Sequence, residues 1–266
     1  MINLAITGAC GRMGQRIATL ALQDSAFQIV SPLERADHPD LGKNYGHVLP
    51  NPKLDVILRD TLQDNPSVLI DFTTPESTTH WIDVCKNCNL PMIVGTTGLT
   101  EKELTIIKTV AQKIPIVQAP NMSIGMNLLF QLVEQMARVL GQNYDIEIVE
   151  QHHRFKKDAP SGSALGLLES IAKGLNKDPK QIAAFGRAGR EATRKPGEVT
   201  LHALRLGDTV GEHAVHFGTL GETVTLSHSA HSRDTFAQGA LRAAAWIVTK
   251  PPGLYSMQDV LFGKKE

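Results

Sequence analysis

Residues 150–164 read EQHHRFKKDAPSGSA, and His152, His153, Arg154, Lys156 and Lys157 place five cationic or titratable side chains within six positions. Ser161-Gly162-Ser163 then supplies hydroxyls and amide N–H groups where a helix is expected to start. A helix N-terminus carries positive partial charge and suits a carboxylate. Cations beside such a start point to a small anionic substrate. A His with a Lys nearby also offers a general acid, able to protonate a carbon or nitrogen next to a hydride acceptor. The same residue types equally describe a basic surface loop closed by a Ser cap. No metal site is expected: adjacent histidines do not share a helix face, and neither an H-E-x-x-H motif nor a carboxylate cluster accompanies them.

A second constellation stands at the start of the chain. The apolar run Ile2–Thr7 is followed by Gly8-Ala9-Cys10-Gly11-Arg12-Met13-Gly14, a glycine-rich strand-to-helix turn of the kind that presents backbone N–H groups to a pyrophosphate. The strict G-x-G-x-x-G pattern is not met, because its second glycine falls on Cys10, and by itself the turn reads equally well as a tight connection. Glu34 adds weight. It lies 20 residues after Gly14 at the end of the second expected strand, where an acid takes the ribose hydroxyls. Arg35 beside it suits a 2′-phosphate, so both NADH and NADPH are expected as cofactors. Gly95-Thr96-Thr97-Gly98, Ala119-Pro120-Asn121-Met122 and Thr73-Thr74 follow later strands, at the carboxyl ends where open parallel sheets bind ligands.

These residues need a scaffold, and the periodicity supplies one. Strands are expected at residues 2–7, 27–32, 67–72, 91–94 and 114–118, alternating with helices at 12–23, 78–87 and 100–112. That alternation implies a parallel sheet covered by helices on both faces. The pattern changes after Asn121. A long helix at 126–140, a strand at 145–149 and a helix at 164–175 precede a polar stretch at 186–197. Consecutive strands at 199–206, 211–217 and 222–228, joined by Gly-Asp and Leu-Gly turns, lead to a last helix at 236–249. The fold class is therefore α/β: an N-terminal Rossmann-type parallel-sheet domain plus a smaller α+β substrate and oligomerisation domain with a mixed sheet. The expected division is 1–122, completed by 234–266, and 123–233.

Composition narrows the function classes. The 266 residues hold 27 Lys plus Arg and 27 Asp plus Glu, a formal charge of zero. That balance argues against a nucleic-acid or anionic-membrane partner. No apolar run reaches the length of about 18 residues that a membrane helix needs, and residues 1–6 lack the basic and apolar regions of a signal peptide. Three cysteines are too few for a disulfide scaffold. The expected location is the cytoplasm. Cys85-Lys86-Asn87-Cys88 reads as helix thiols rather than a redox or metal pair. His202, His213, His216, His228 and His231 read as strand or interface histidines, with Arg233 placed to meet a substrate carboxylate. Arg187, Arg190, Arg194 and Lys195 read as a solvated loop.

The motifs GACGRMG (8–14), Glu34-Arg35, GTTG (95–98), APNM (119–122), EQHHRFKKDAPSGSA (150–164) and GDTVGE (207–212) resemble the dihydrodipicolinate reductase (4-hydroxy-tetrahydrodipicolinate reductase) family across essentially the whole chain. The HH-x-x-K…PSG stretch is highly specific. The resemblance implies NAD(P)H-dependent reduction of 4-hydroxy-tetrahydrodipicolinate to tetrahydrodipicolinate in lysine and diaminopimelate biosynthesis. The substrate would be a small cyclic dicarboxylate and the assembly a homotetramer. It implies His152 as catalytic acid/base, Lys156 as proton donor and His153 as a substrate contact, with Ser161, Gly162 and Ser163 at a substrate carboxylate. Gly8, Ala9, Cys10, Gly11, Arg12, Met13, Glu34, Arg35, Gly95, Thr96, Thr97, Ala119, Pro120, Asn121 and Met122 fall on the family's dinucleotide contacts. Two positions depart from the pattern: Ser163 stands where Thr is usual, and Cys10 occupies a variable loop position.

Overall fold

The computed structural model describes residues 1–51 and 54–263. Positions 52–53 and 264–266 of the expected N-terminal domain lie outside the described residues. In chain order the elements are β1 (Ile2–Thr7), α1 (Arg12–Ala21), β2 (Phe27–Leu33), α2 (Tyr45–Val48), β3 (Val68–Asp71), α3 (Pro75–Cys88), β4 (Met92–Val94), α4 (Glu101–Val110), β5 (Pro115–Gln118) and α5 (Ile124–Leu140). There follow β6 (Asp145–His152), α6 (Gly162–Leu175), α7 (Pro179–Ile182), β7 (Ala183–Phe185), β8 (Val199–Arg205), β9 (Gly211–Thr219), β10 (Glu222–Ala230), α8 (Asp234–Ile247), β11 (Gly253–Tyr255) and α9 (Met257–Phe262). They form two compact units, one of Met1–Ile124 with Arg233–Glu266 and one of Gly125–Ser232.

The first unit is built on six strands in the order β11-β5-β4-β3-β1-β2, every pairing parallel. Parallel strands covered on both faces read as unbroken apolar runs. Val68-Leu69-Ile70 and Met92-Ile93-Val94 accordingly carry no polar alternation and are buried throughout. One face packs Ile6, Ile17, Ile70, Ile93 and Val117 against Ala240 and Ala244 of α8. The other packs Leu69, Met92 and Ile116 against Trp81, Ile82 and Ile107. Local signals set the helix ends. Thr74 caps α3 through Ser77 N–H with Pro75 in the first turn, and Thr100 and Glu103 cap α4 reciprocally. The three-residue strand β11 lies beyond the last sequence-expected element and completes the sheet beside β5.

The second unit holds a five-stranded mixed sheet in the order β10-β9-β6-β8-β7. Central β6 runs parallel to β8 and antiparallel to β9. Strands β8 and β9 follow one another in sequence but do not pair, because β6 lies between them. Among the described residues of this sheet, only the Leu220-Gly221 turn closes a hairpin, between β9 and β10. Helices α5 and α6 bury Leu129, Val133, Leu167 and Ile171 against Ile146, Ile148, Leu201 and Val215 of the sheet. Most of the stretch 186–197 is exposed, as expected from its composition, but two of its cations are held. Arg187 pairs with Glu147 at 2.7 Å and Glu198 at 2.6 Å, Arg194 also pairs with Glu147, and His202 meets the same carboxylate at 2.8 Å.

Candidate active site and dinucleotide turn

Strand β6 alternates, so Ile146, Ile148, Glu150 and His152 share its buried face. Glu150 is fully buried and His152 9% exposed. The Glu150 carboxylate accepts from His152 Nδ1 at 2.5 Å, from the Ser161 amide at 3.1 Å, and from Arg205 Nη1 and Nη2 at 2.9 and 2.8 Å. Burial alone would raise this carboxyl. The hydrogen bonds and charges of His152 and Arg205 outweigh it and hold the group at about 2. His152 also stands edge-on to His213, ring centroids 5.2 Å apart. Burial, helped by the nearby His152, His228 and Lys156 against the opposing Glu150, pulls His213 down to about 3. It is therefore a neutral ring.

Ser161 lies 3.4 Å from His213 Nε2 through its hydroxyl and caps α6 by accepting from Ala164 N–H at 3.1 Å. Gly162 opens the first turn with empty space around its α-carbon, and Ser163 follows it half-buried. A fourteen-residue helix with a built cap and an unobstructed first turn is a fit receptor for a carboxylate. Lys156 is anchored by Asp158, Nζ to Oδ1 2.9 Å. His153 does not join the Glu150 cluster: it sits past the strand end, its ring 6.3 Å from that of Phe155. Its Nδ1 is buried with no partner among the described residues. The structure thus brings together His152, Ser161 and the α6 start. It adds Glu150, Arg205 and His213, which the sequence reading did not place there.

In the first unit the turn after β1 is shaped by its glycines. Gly8 has φ +58°, and a β-carbon on it would press within 2.8 Å of Thr73 Cγ2. A β-carbon on Gly14 would come within 2.2 Å of the Gly8 carbonyl oxygen, so neither position admits a side chain. Helix α1 begins after Gly11 with no side-chain cap. Arg12 and Met13 form its first turn, and Tyr45 hydroxyl braces the turn by donating to the Ala9 carbonyl at 2.6 Å. Glu34 accepts from the amides of Cys10 at 3.1 Å and Arg35 at 3.2 Å, which fixes its carboxylate beside the glycine turn. The Arg35 side chain is 69% exposed, 3.3 Å from Asp37.

The later strand ends differ among themselves. Thr96 is buried, donating to Asp71 at 3.1 Å and accepting from Thr73 N–H at 3.0 Å, so its side chain serves the loop rather than a ligand. Gly95 is buried and Thr97 exposed. In 119–122, Ala119 and Met122 are buried in the core, Pro120 is exposed, and Asn121 accepts from Ser123 N–H at 2.9 Å. Cys10, Glu34 and His38 bring a thiol, a carboxylate and an imidazole within 4.8 Å of one another. Burial and the nearby Glu34 and Asp40 push the Cys10 thiol up to about 11, and Glu34 is already committed to two amides. This arrangement serves the turn better than a cation. Cys85 is buried and Cys88 exposed on α3, both as free thiols. Arg233 is exposed at the start of α8.

Comparison with known proteins matches nearly the whole chain. Residues 2–122 match the family profile described as dihydrodipicolinate reductase, N-terminus, and residues 125–261 match the one described as dihydrodipicolinate reductase, C-terminus. The 4-hydroxy-tetrahydrodipicolinate reductase of Syntrophus aciditrophicus is 42% identical over 264 residues, covering 98% of each chain. That of Trichlorobacter lovleyi is 43% identical over 264 residues, covering 98% of this chain and 99% of its own. Among solved structures, a dipicolinate-bound dihydrodipicolinate reductase from Paenisporosarcina superposes with a TM-score of 0.73 at 25% identity, covering 97% of this chain and 98% of the other. An amine dehydrogenase from Mycobacterium smegmatis shares the fold alone, with a TM-score of 0.65 at 12% identity over 96% and 95%.

Proposed function

The chain belongs to the dihydrodipicolinate reductase family, and from that premise we propose how its own residues carry the family's reaction. It is an NAD(P)H-dependent oxidoreductase that reduces 4-hydroxy-tetrahydrodipicolinate to tetrahydrodipicolinate in lysine and diaminopimelate biosynthesis. The observation that carries the site assignment is the His152–Glu150–Ser161 cluster, which joins an oriented imidazole to a capped helix start.

The side-chain-free turn formed by Gly8 and Gly14 and the uncapped start of α1 fit a pyrophosphate. Gly8, Ala9, Cys10, Gly11, Arg12 and Met13 would hold it. Glu34, fixed by two amides, suits the ribose hydroxyls of NADH. Arg35, long and exposed, suits the 2′-phosphate of NADPH, so the chain uses both. Gly95, Thr96 and Thr97, with Ala119, Pro120, Asn121 and Met122, line the strand ends toward the nicotinamide. When bound, the reduced nicotinamide supplies a hydride to the substrate ring.

The remaining work falls to the second unit. The first turn of α6, with Ser161, Gly162 and Ser163, receives a substrate carboxylate, and His153 presents its buried ring nitrogen as a further contact. Lys156, paired with Asp158 at 2.9 Å, gives the proton that balances the hydride. His152 acts beside it as acid/base. The neutral His213 adds no charge that would repel the substrate's cationic neighbours. The free thiols at Cys10, Cys85 and Cys88 support a reducing, cytoplasmic location. Leu204 and Val224, exposed on the second sheet at 45% and 38%, support assembly through that sheet into a homotetramer.

The test follows NADPH and NADH oxidation at the nicotinamide absorbance, with substrate generated in place from pyruvate and aspartate semialdehyde by the preceding synthase. Wild type turns over with both dinucleotides, while His152→Gln and Lys156→Ala each lose roughly 100-fold or more in kcat. A wild type that binds dinucleotide without turnover would refute the activity. Either variant at near-wild-type kcat would refute that residue's role.

A further inference from the structure

We propose that Glu150 is the positioning residue of this reaction, one buried carboxylate that orients the His152 imidazole and at the same time anchors the Ser161 start of the anion-binding helix. This rests on the roles given above to His152 and to α6.

A carboxylate offers about four acceptor sites on its two oxygens, and Glu150 fills them with four donors. These are His152 Nδ1, the Ser161 amide and both terminal nitrogens of Arg205. Turning the group out of its plane breaks two or more of these contacts, so the carboxylate is held in a single plane. The donors come from different places in the chain. His152 is two residues on along β6, Ser161 is 11 residues on, and Arg205 is 55 residues on, at the end of β8. Arg205 Nη2 also donates to the Asp158 carbonyl at 2.7 Å, and Asp158 in turn holds the Lys156 ammonium. The loop between His152 and Ser161, which carries Lys156, is therefore pinned at its start, its middle and its end by one ion pair.

The chemistry of the pair also settles which imidazole nitrogen works. Held near 2, Glu150 is ionised at every working pH and can only accept. His152 Nδ1 must then bear the hydrogen, which leaves Nε2 as the nitrogen that takes or gives a proton. Gly211 lies beside that nitrogen, and a β-carbon there would crowd Nε2 at 3.1 Å, so the glycine spares it a side chain. Glu150 on its own strand and His213 on β9 stand against this ring, Arg205 on β8 meets the same Glu150 carboxylate, and Lys156 on the following loop and His228 on β10 act on His213.

The experiment compares wild type with Glu150→Gln, which keeps the shape and removes the charge. Long-range proton–nitrogen spectra of selectively labelled histidine should show His152 protonated at Nδ1 in wild type and a mixture of tautomers in the variant. The kcat should fall roughly 100-fold with the dinucleotide KM unchanged, and the pH profile of kcat should move toward acid as the imidazolium loses its counter-charge. Glu150→Asp should recover part of the rate and the Nδ1–H tautomer. An unchanged tautomer and pH profile in Glu150→Gln would overturn the proposal even if kcat fell, because a purely structural role predicts that result. Should Glu150→Gln fail to fold, the wild-type spectrum decides alone, and a hydrogen on Nε2 with Nδ1 bare overturns it. If wild type shows the Nδ1–H tautomer but does not reduce the substrate, the assigned reaction fails while the positioning of His152 stands.

Discussion

Gly239 of α8 faces the carbonyl oxygen of Met122 so closely that a β-carbon at residue 239 would lie 1.7 Å from it. No side-chain rotation relieves that overlap, because both parties are backbone. The helix and the loop that ends the β5 connection therefore touch main chain to main chain. Gly239→Ala should cost about 1–3 kcal/mol through forced backbone movement. Thermal unfolding would register this as a drop of about 2–4 °C for each kcal/mol lost. Dinucleotide affinity should fall with it, since Met122 belongs to the candidate cofactor loop. An unshifted melting temperature would mean that the helix can slide away without penalty.

Asp71 gives the second prediction. It is fully buried at the end of β3 and accepts from the hydroxyls of Thr7 at 2.7 Å, Thr73 at 2.5 Å, Thr78 at 2.5 Å and Thr96 at 3.1 Å. Four segments of the nucleotide unit converge on one carboxylate. Asp71→Leu leaves buried hydroxyls without their acceptor, at about 1–3 kcal/mol for each one unpaired. It should also weaken NADPH binding roughly tenfold, about 1.4 kcal/mol, by releasing the Thr73 and Thr96 loops. Equilibrium unfolding and dinucleotide titration would check the two effects separately. Asp71→Asn should lie between, since a threonine hydroxyl can turn and accept from the new amide.

Much of this architecture is legible in the sequence, and the exceptions have physical reasons. The alternation of DIEIVEQH puts Glu150 on the same face as Ile146, Ile148 and His152, so a buried carboxylate two residues before His152 was readable there. A polar run of EQHHR masks it, because such runs usually face water. Arg205 and His213 were not readable. They reach the site only because β8 and β9 flank β6 on opposite sides, and no local pattern encodes that order. Asp71 is hidden for the same reason, its four threonines coming from positions 7 to 96. Strands β7 and β11 are three residues each, too short for a period to register. The arginines at 187 and 194 read as solvated until their shared partner Glu147 is seen across the sheet.

Cofactor choice follows from the contrast between Glu34 and Arg35. The carboxylate is tied down by two amides, whereas the guanidinium is 69% exposed beside Asp37. Arg35→Ala should raise the NADPH dissociation constant roughly tenfold, in line with the loss of a charge-assisted hydrogen bond. It should leave NADH nearly unchanged. Fluorescence titration of both dinucleotides on the same variant measures the ratio, and equal losses for the two would remove Arg35 from the phosphate site.

Acid sensitivity should trace in part to Glu150. Its folded carboxyl lies at about 2 against an ordinary 4.5. A group depressed in this way contributes stability that is complete above its unfolded value and is lost as pH falls from 4.5 toward 2. Burial also raises Glu147 while Arg187, His202 and Arg194 pull it down further, but that contribution is common to wild type and Glu150→Gln. Urea unfolding of the two proteins should therefore show a stability gap that is wide at about pH 6 and narrows as the pH approaches about 2.5. A gap independent of pH would mean that the carboxylate's charge plays no part in holding the sheet.

The position of β11 bears on how the chain is made. The nucleotide unit takes its first five strands from the beginning of the sequence, but its covering helix α8 and its edge strand come after residue 233. The unit of residues 125–232 is continuous and emerges from the ribosome first as a complete set of partners. Translation thus offers the second unit its full core while the first still waits with one sheet face covered only in part, by α1. Because domains fold as units during synthesis, the continuous unit of residues 125–232 is the one that can finish early. The sheet that begins with β1, although translated almost at once, gains its last strand only after Tyr255 has been added.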